Sequence, residues 1–114
     1  MYATFLVTQD GPVTTVQLNR PEKRNPVNEE MVGELHQVLD GIRDDASCRV
    51  VVVTGSGAAF CAGADLSRLK GVADPQERQR VFTATRGQRT RKLREALDKL
   101  EGLEQVTIAA INGF

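Results

Sequence analysis

The chain has 114 residues, with 15 basic and 15 acidic side chains, 40% hydrophobic residues, no Trp, one Tyr and four Phe. This is the profile of one soluble domain whose modest core is built from Val, Leu, Ile and Ala. Zero formal net charge excludes a bulk electrostatic pull toward nucleic acid or an anionic membrane, and no apolar run approaches bilayer-spanning length.

Residues Met1 to Leu6 carry neither a basic leader nor a long apolar stretch, so a cytoplasmic setting with reduced thiols is expected. Phe5 to Thr8 and Val13 to Leu18 are β-branched segments separated by Gln9-Asp10-Gly11-Pro12, which reads as an antiparallel hairpin. Arg20-Pro21 breaks the strand, and a polar loop follows to Asn28. Asn28 caps a helix that opens with Glu29 and Glu30, and Met31, Leu35, Val38, Leu39 and Ile42 line one face of it. His36 falls off that stripe and is expected in solvent. Val50 to Val53 reads as a strand covered on both faces, which makes strand, helix and strand a right-handed crossover unit. A loop rich in Gly and Ala follows, and Asp65 is expected to cap a short helix through Leu66 and Leu69. Asp74-Pro75 starts another helix, running through Val81 and Phe82 to Leu93, Leu97 and Leu100. Val106 to Ile111 reads as a last buried strand. The fold class is α/β with a mostly parallel sheet and flanking helices. The stop at Phe114, directly after an apolar run, is an unusual place for a domain to end.

The loop from Thr54 to Leu66 concentrates the chemical signal. From spacing alone two readings stay open: a tight turn that needs glycine for its dihedral angles, or a loop that brings backbone N–H groups of a helix start close to a ligand. A dinucleotide fingerprint fails, because Phe60 stands where its third glycine belongs. Cys61 has no base in view, so nucleophilic catalysis is disfavoured. Cys48, Cys61 and the single His36 do not form a metal-ligand set, and no metal is expected. Arg86, Arg89, Arg91, Lys92 and Arg94 form a basic cluster. Glu95 follows Arg91 and Asp98 follows Arg94 at helical spacing, which favours pairing along a solvated helix. No aromatic residues are interleaved, so no nucleic-acid surface is expected.

Three segments together carry a resemblance. Leu18-Asn19-Arg20-Pro21-Glu22-Lys23-Arg24-Asn25 resembles the "LNRPEKRNA" segment of the enoyl-CoA hydratase/isomerase (crotonase) superfamily, with Pro26 where Ala is usual. Val51 to Gly55 followed by Phe60-Cys61-Ala62-Gly63-Ala64-Asp65-Leu66 resembles its central signature, and Ile108 to Gly113 the start of its next block. Val106 departs from a proline common before that strand. The resemblance implies a ClpP/crotonase-like ββα spiral, of which residues 1–114 would be the N-terminal part of an acyl-CoA-binding domain. It implies acyl-CoA thioesters as partners, with the carbonyl held by two backbone N–H groups, and no separate cofactor, since coenzyme A belongs to the substrate. Ala64 matches the position of the first donor. Cys61, Ala62, Gly63, Asp65 and Leu66 match positions lining the coenzyme A pocket, and Arg24 matches a basic position near the coenzyme's phosphates. Asp65 reads as a residue that shapes the loop rather than a proton carrier. Full-length relatives are implied to be homo-oligomers, trimers or hexamers, that hydrate 2-enoyl-CoA. The second donor and the acid/base carboxylates of the family pattern are not in these residues, so the 114-residue chain alone is expected to be inactive. The alternative is a truncated, non-catalytic relative that at most binds coenzyme A or self-associates.

Overall fold

The computed structural model describes the backbone of all 114 residues and every side chain except those of Arg68, Thr85, Arg86, Gln88 and Arg89. The predicted hairpin is present. Strand β1 (Phe5–Asp10) pairs antiparallel with β2 (Val13–Leu18), from Phe5 opposite Leu18 to Asp10 opposite Val13. The chain then passes through a 3-10 turn at Pro21–Lys23 and a two-residue strand, β3 (Pro26–Val27). Helix α1 (Glu29–Arg43) carries it back to β4 (Val50–Gly55), which lies parallel to β2 with Val13 opposite Val50. A second two-residue strand, β5 (Gly63–Ala64), pairs parallel with β3. Helix α2 (Pro75–Glu101) precedes β6 (Val106–Ala109), which lies parallel to β4. The main sheet therefore has the order β1-β2-β4-β6, three strands of it parallel.

Helix α1 forms where the sequence predicts it. The Asn28 side chain accepts the Met31 N–H at 2.8 Å, while Glu29 and Glu30 sit in the first turn and Arg43 in the last, each favourable to the helix dipole. Its buried face comprises Met31, Val32, Val38, Leu39 and Ile42, with Leu35 half-buried. Met31, Val38 and Ile42 meet Phe5, Val16, Leu18 and Val51 from the sheet and Cys48 from the loop before β4 in one core, with Leu35 packed against it. Burying each of the larger ones contributes roughly 1.5–3 kcal/mol.

Four expectations are corrected. Val51 is completely buried, but Val50, Val52 and Val53 are only half-buried, so β4 has one face in the core and the other only partly covered. Strand β6 ends at Ala109, and all four of its residues are exposed, because it forms the sheet edge with β4 on one side only. The segment after Asp65 is not a helix but a three-residue 3-10 turn, Ser67–Leu69, too short to present a helix start to an anion. His36 is half-buried under α2, where its Nε2 donates to the Lys92 carbonyl at 2.9 Å.

Helix α2 is one continuous helix of 27 residues, opened by the Asp74 side chain accepting the Gln76 N–H at 3.1 Å. Ala96 on it is fully buried, and Lys99 reaches Asp40 of α1 at 3.0 Å. Of the basic cluster, the side chains of Arg86 and Arg89 lie outside the described residues. Among the described residues no ion pair joins Arg91 to Glu95 or Arg94 to Asp98, since these side chains extend into water, where such pairs gain little. No helix among the described residues is long and apolar enough to cross a membrane, and none of their His, Cys, Asp and Glu side chains cluster in threes as a metal would require.

Candidate functional site

The signature loop leaves β4 through a bend only glycine permits. A Cβ at Gly55 would stand 2.6 Å from the Ala59 carbonyl oxygen and 2.7 Å from that of Phe60. Two asparagines hold the loop. Asn25, fully buried and left-handed at φ 56, donates through Nδ2 to the carbonyls of Ser56 at 3.0 Å and Ala59 at 2.9 Å, and accepts the Arg20 N–H at 2.7 Å. Asn112 accepts the Gly55 N–H at 3.1 Å and donates to the Gly57 carbonyl at 3.0 Å and to that of Ala59 at 3.4 Å. Gly113 lies so close that a Cβ there would come within 2.2 Å of the Ala58 carbonyl oxygen, and Cys61 N–H donates to the Phe114 carbonyl at 2.8 Å.

Beyond this clamp the chain forms β5 against β3. Ala62 N–H donates to the Arg24 carbonyl and Asp65 N–H to the Val27 carbonyl, both at 2.9 Å. Along a parallel strand, alternate residues direct their backbone groups to opposite sides, so with Asp65 bonded to β3 the Ala64 N–H is turned away from it. Asp65 is held twice more. Its Oδ2 meets Arg20 Nη1 at 2.9 Å, and its Oδ1 accepts from the N–H of Ser67 at 2.9 Å and from the Ser67 hydroxyl. The Ser67 hydroxyl bond is the largest cause that lowers the Asp65 pKa to about 2; burial opposes it, and the Ser67 N–H and Arg20 add to it. A carboxylate so engaged shapes the loop and is not a proton donor at neutral pH.

Cys61, Gly63 and Ala64 line a cavity of about 350 Å3 together with Val27, Phe82 and Leu93. Val27, Cys61 and Leu93 also border a second, apolar cavity of about 440 Å3 between the sheet and the two helices. Ala62, Leu66 and Arg24 line neither cavity and are exposed, while Asp65 stands behind the loop. Arg24 takes a left-handed conformation at φ 66, so its backbone closes the 3-10 turn while its side chain projects into solvent. Cys61 is a half-buried free thiol, and the His36 ring is engaged with α2.

Sequence reasoning did not find Arg20, Asn25, Ser67 or Asn112 as functional supports. Their partners lie across turns that carry no periodicity. The ribbon of β3 and β5 was equally hidden, because two residues per strand leave no alternation to read and Pro26 argues against a strand.

The sequence profile of the enoyl-CoA hydratase/isomerase family matches residues 8–114. The chain is 37% identical over 113 residues to the probable enoyl-CoA hydratase EchA14 of Mycobacterium tuberculosis, covering 98% of this chain and 40% of that protein. The fold is similar to the crystal structure of an enoyl-CoA hydratase from Bacillus anthracis, with a TM-score of 0.77 and 33% identity over 96% of this chain and 40% of that one. It is similar to an enoyl-CoA hydratase/isomerase from Mycobacterium paratuberculosis to the same degree, with a TM-score of 0.77 and 30% identity over 99% of this chain and 43% of that one. The chain thus spans about 40% of the length of such curated relatives. With its profile, its sequence relatives and its fold in agreement, the chain belongs to the enoyl-CoA hydratase/isomerase family, the crotonase superfamily.

Proposed function

We propose that this chain binds acyl-CoA thioesters and that the Ala64 N–H is a hydrogen-bond donor to the thioester carbonyl. The observation that carries this reading is the direction of that amide: it is turned off β3 at the wall of a cavity, between Ala62 and Asp65, whose own amides are occupied. A main-chain donor fixed before the ligand arrives favours the negative charge that develops on the carbonyl oxygen as an enolate forms, an effect worth roughly 3–4 kcal/mol for one such donor. The adjoining apolar cavity, reached past Cys61, suits an acyl chain. Arg24, exposed at the end of the 3-10 turn, is free to meet a phosphate of coenzyme A. Hydration of a 2-enoyl thioester is the reaction that the names of the relatives suggest for a protein containing this sequence.

Binding and turnover separate in these 114 residues. Among the described residues no carboxylate lines either cavity, and Asp65 is committed to Ser67 and Arg20. A donor without a proton carrier polarises a thioester and converts little of it. Calorimetric titration of the chain with crotonyl-CoA and with free coenzyme A tests the reading. Crotonyl-CoA should bind about tenfold more tightly than coenzyme A, and Ala64→Pro, which deletes the amide hydrogen, should abolish that preference. Equal affinities for the two ligands would remove Ala64 from the carbonyl site. Hydration of crotonyl-CoA at ordinary enzymatic rates would overturn the separation of binding from turnover.

A further inference from the structure

We infer that Arg20 is the positioning residue for the Ala64 amide, acting through Asp65 and β3. The inference rests on the reading of Ala64 as the carbonyl donor. Two residues per strand make the β3–β5 ribbon too small to hold an amide in one orientation by its own backbone bonds. Arg20 supplies the missing restraint. Its Nη1 donates to the Pro26 carbonyl of β3 at 2.7 Å and to Asp65 Oδ2, next to β5, at 2.9 Å. The two side chains of this ion pair are only 12% and 10% exposed, so water neither screens nor replaces the pair as it would on the surface.

The base of the Arg20 side chain is itself fixed. Arg20 N–H donates to Asn25 Oδ1 at 2.7 Å, and the Arg20 carbonyl accepts the N–H of Asn25 at 2.9 Å and of Lys23 at 3.1 Å. Asn25 in turn holds the Ser56 and Ala59 carbonyls of the signature loop. Arg20 therefore joins the two ends of the site, the clamped loop through Asn25 and the ribbon through its guanidinium. Ala64 lies between Gly63, opposite Pro26, and Asp65, whose N–H bonds Val27 and whose carboxylate bonds Arg20. Both residues flanking Ala64 are thus tied to one frame. Arg24, the basic residue that the resemblance singles out, sends its side chain into solvent; the arginine that grips the loop stands four positions earlier.

Removing the guanidinium leaves Asp65 bonded to Ser67 and its N–H bonded to Val27, so the loop stays attached while its side-chain tie to β3 is cut. The test compares the wild-type chain with Arg20→Gln and with Asp65→Asn, which can keep its bonds to Ser67. Two quantities are read: the 15N relaxation order parameter of the Ala64 amide without ligand, and the ratio of affinities for acetyl-CoA and coenzyme A. In wild type, Ala64 should be as rigid as the strand amides, near about 0.85, and in both variants it should fall below about 0.6 while Val51 stays unchanged. The preference for the thioester should drop about tenfold, to none, with coenzyme A affinity kept within about twofold. Arg20→Lys, which keeps the charge on a rotating ammonium, should recover part of both quantities. An Ala64 order parameter unchanged in Arg20→Gln would overturn the inference, as would equal weakening of both ligands, the mark of a merely structural role. Should Arg20→Gln fail to fold, Asp65→Asn decides by the same two readings. Loss of order at Ala64 in a protein whose wild type shows no thioester preference would leave Arg20 as the anchor and remove the carbonyl-binding reading instead.

Discussion

Asp65 and Glu34 each accept several hydrogen bonds, and both titrate below their ordinary range. For Asp65 the Ser67 hydroxyl is the largest cause, and the pKa falls from 3.8 to about 2. For Glu34 burial pushes the pKa upward, but hydrogen bonds from the Thr4 hydroxyl and from the Ala3 and Thr4 N–H groups outweigh it, and the net direction is down. A carboxylate whose pKa is lower in the folded than in the unfolded chain adds stability above its unfolded pKa and loses it as pH falls through the folded value. The Asp65 contribution is therefore complete above about pH 4 and lost as pH drops toward about 2. Urea unfolding at a series of pH values should show stability decline over that window, and Asp65→Asn should make the decline shallower. Asn25→Ala strands the part-buried Ser56 carbonyl, leaves the Ala59 carbonyl only its longer bond from Asn112, and puts alanine at a positive φ, so it should cost about 3 kcal/mol in denaturant unfolding. Asn112→Ala should cost less, about 1 kcal/mol, because Ala59 keeps its bond from Asn25.

Among the elements, α1 was the most legible. Its cap, its acidic first turn and its apolar stripe agree, and the structure adds only Val32 to the buried face. Asn28→Ala should lower stability by about 1 kcal/mol, and Leu39→Ala, which empties a fully buried position, by about 2–5 kcal/mol, both measurable by chemical denaturation. The hairpin was legible for a similar reason: Asp10-Gly11 reverses two β-branched runs, and Gly11 takes φ +59 at the turn. Burial of β6 was misread because an apolar run states what a strand prefers and not whether a neighbour covers it. The segment after Asp65 was misread as a helix because an aspartate that folds back on Ser67 has the same local sequence as one that opens a helix. In the site, the order of the motif residues was readable, and the bonds that hold them were not. Arg20 and Asp65 meet only because α1 and β4 bring two loops together, a tertiary fact without a local pattern.

On the scale of the whole chain, the surface is larger than the mass requires. The radius of gyration is 15.4 Å where a compact chain of this length has about 13 Å, and the accessible surface is 7385 Å2 where about 6,200 Å2 is typical. Exposed apolar side chains include two on the edge strand β6, Val106 at 62% and Ile108 at 48% exposure. From Val106 to Ile111 the sequence holds no charge and no proline to discourage pairing with another edge. The isolated chain should therefore associate as its concentration rises, and Ile108→Lys should suppress that association in light scattering without altering the circular dichroism spectrum.

Donation by the Ala64 amide to a thioester carbonyl is the proposal on which the function rests. It is tested most directly by 1H–15N correlation spectra of the chain titrated in parallel with acetyl-CoA and coenzyme A. The Ala64 amide proton should shift downfield with acetyl-CoA and not with coenzyme A alone. An Ala64 resonance that stays in place with both ligands, or moves equally with each, would contradict it.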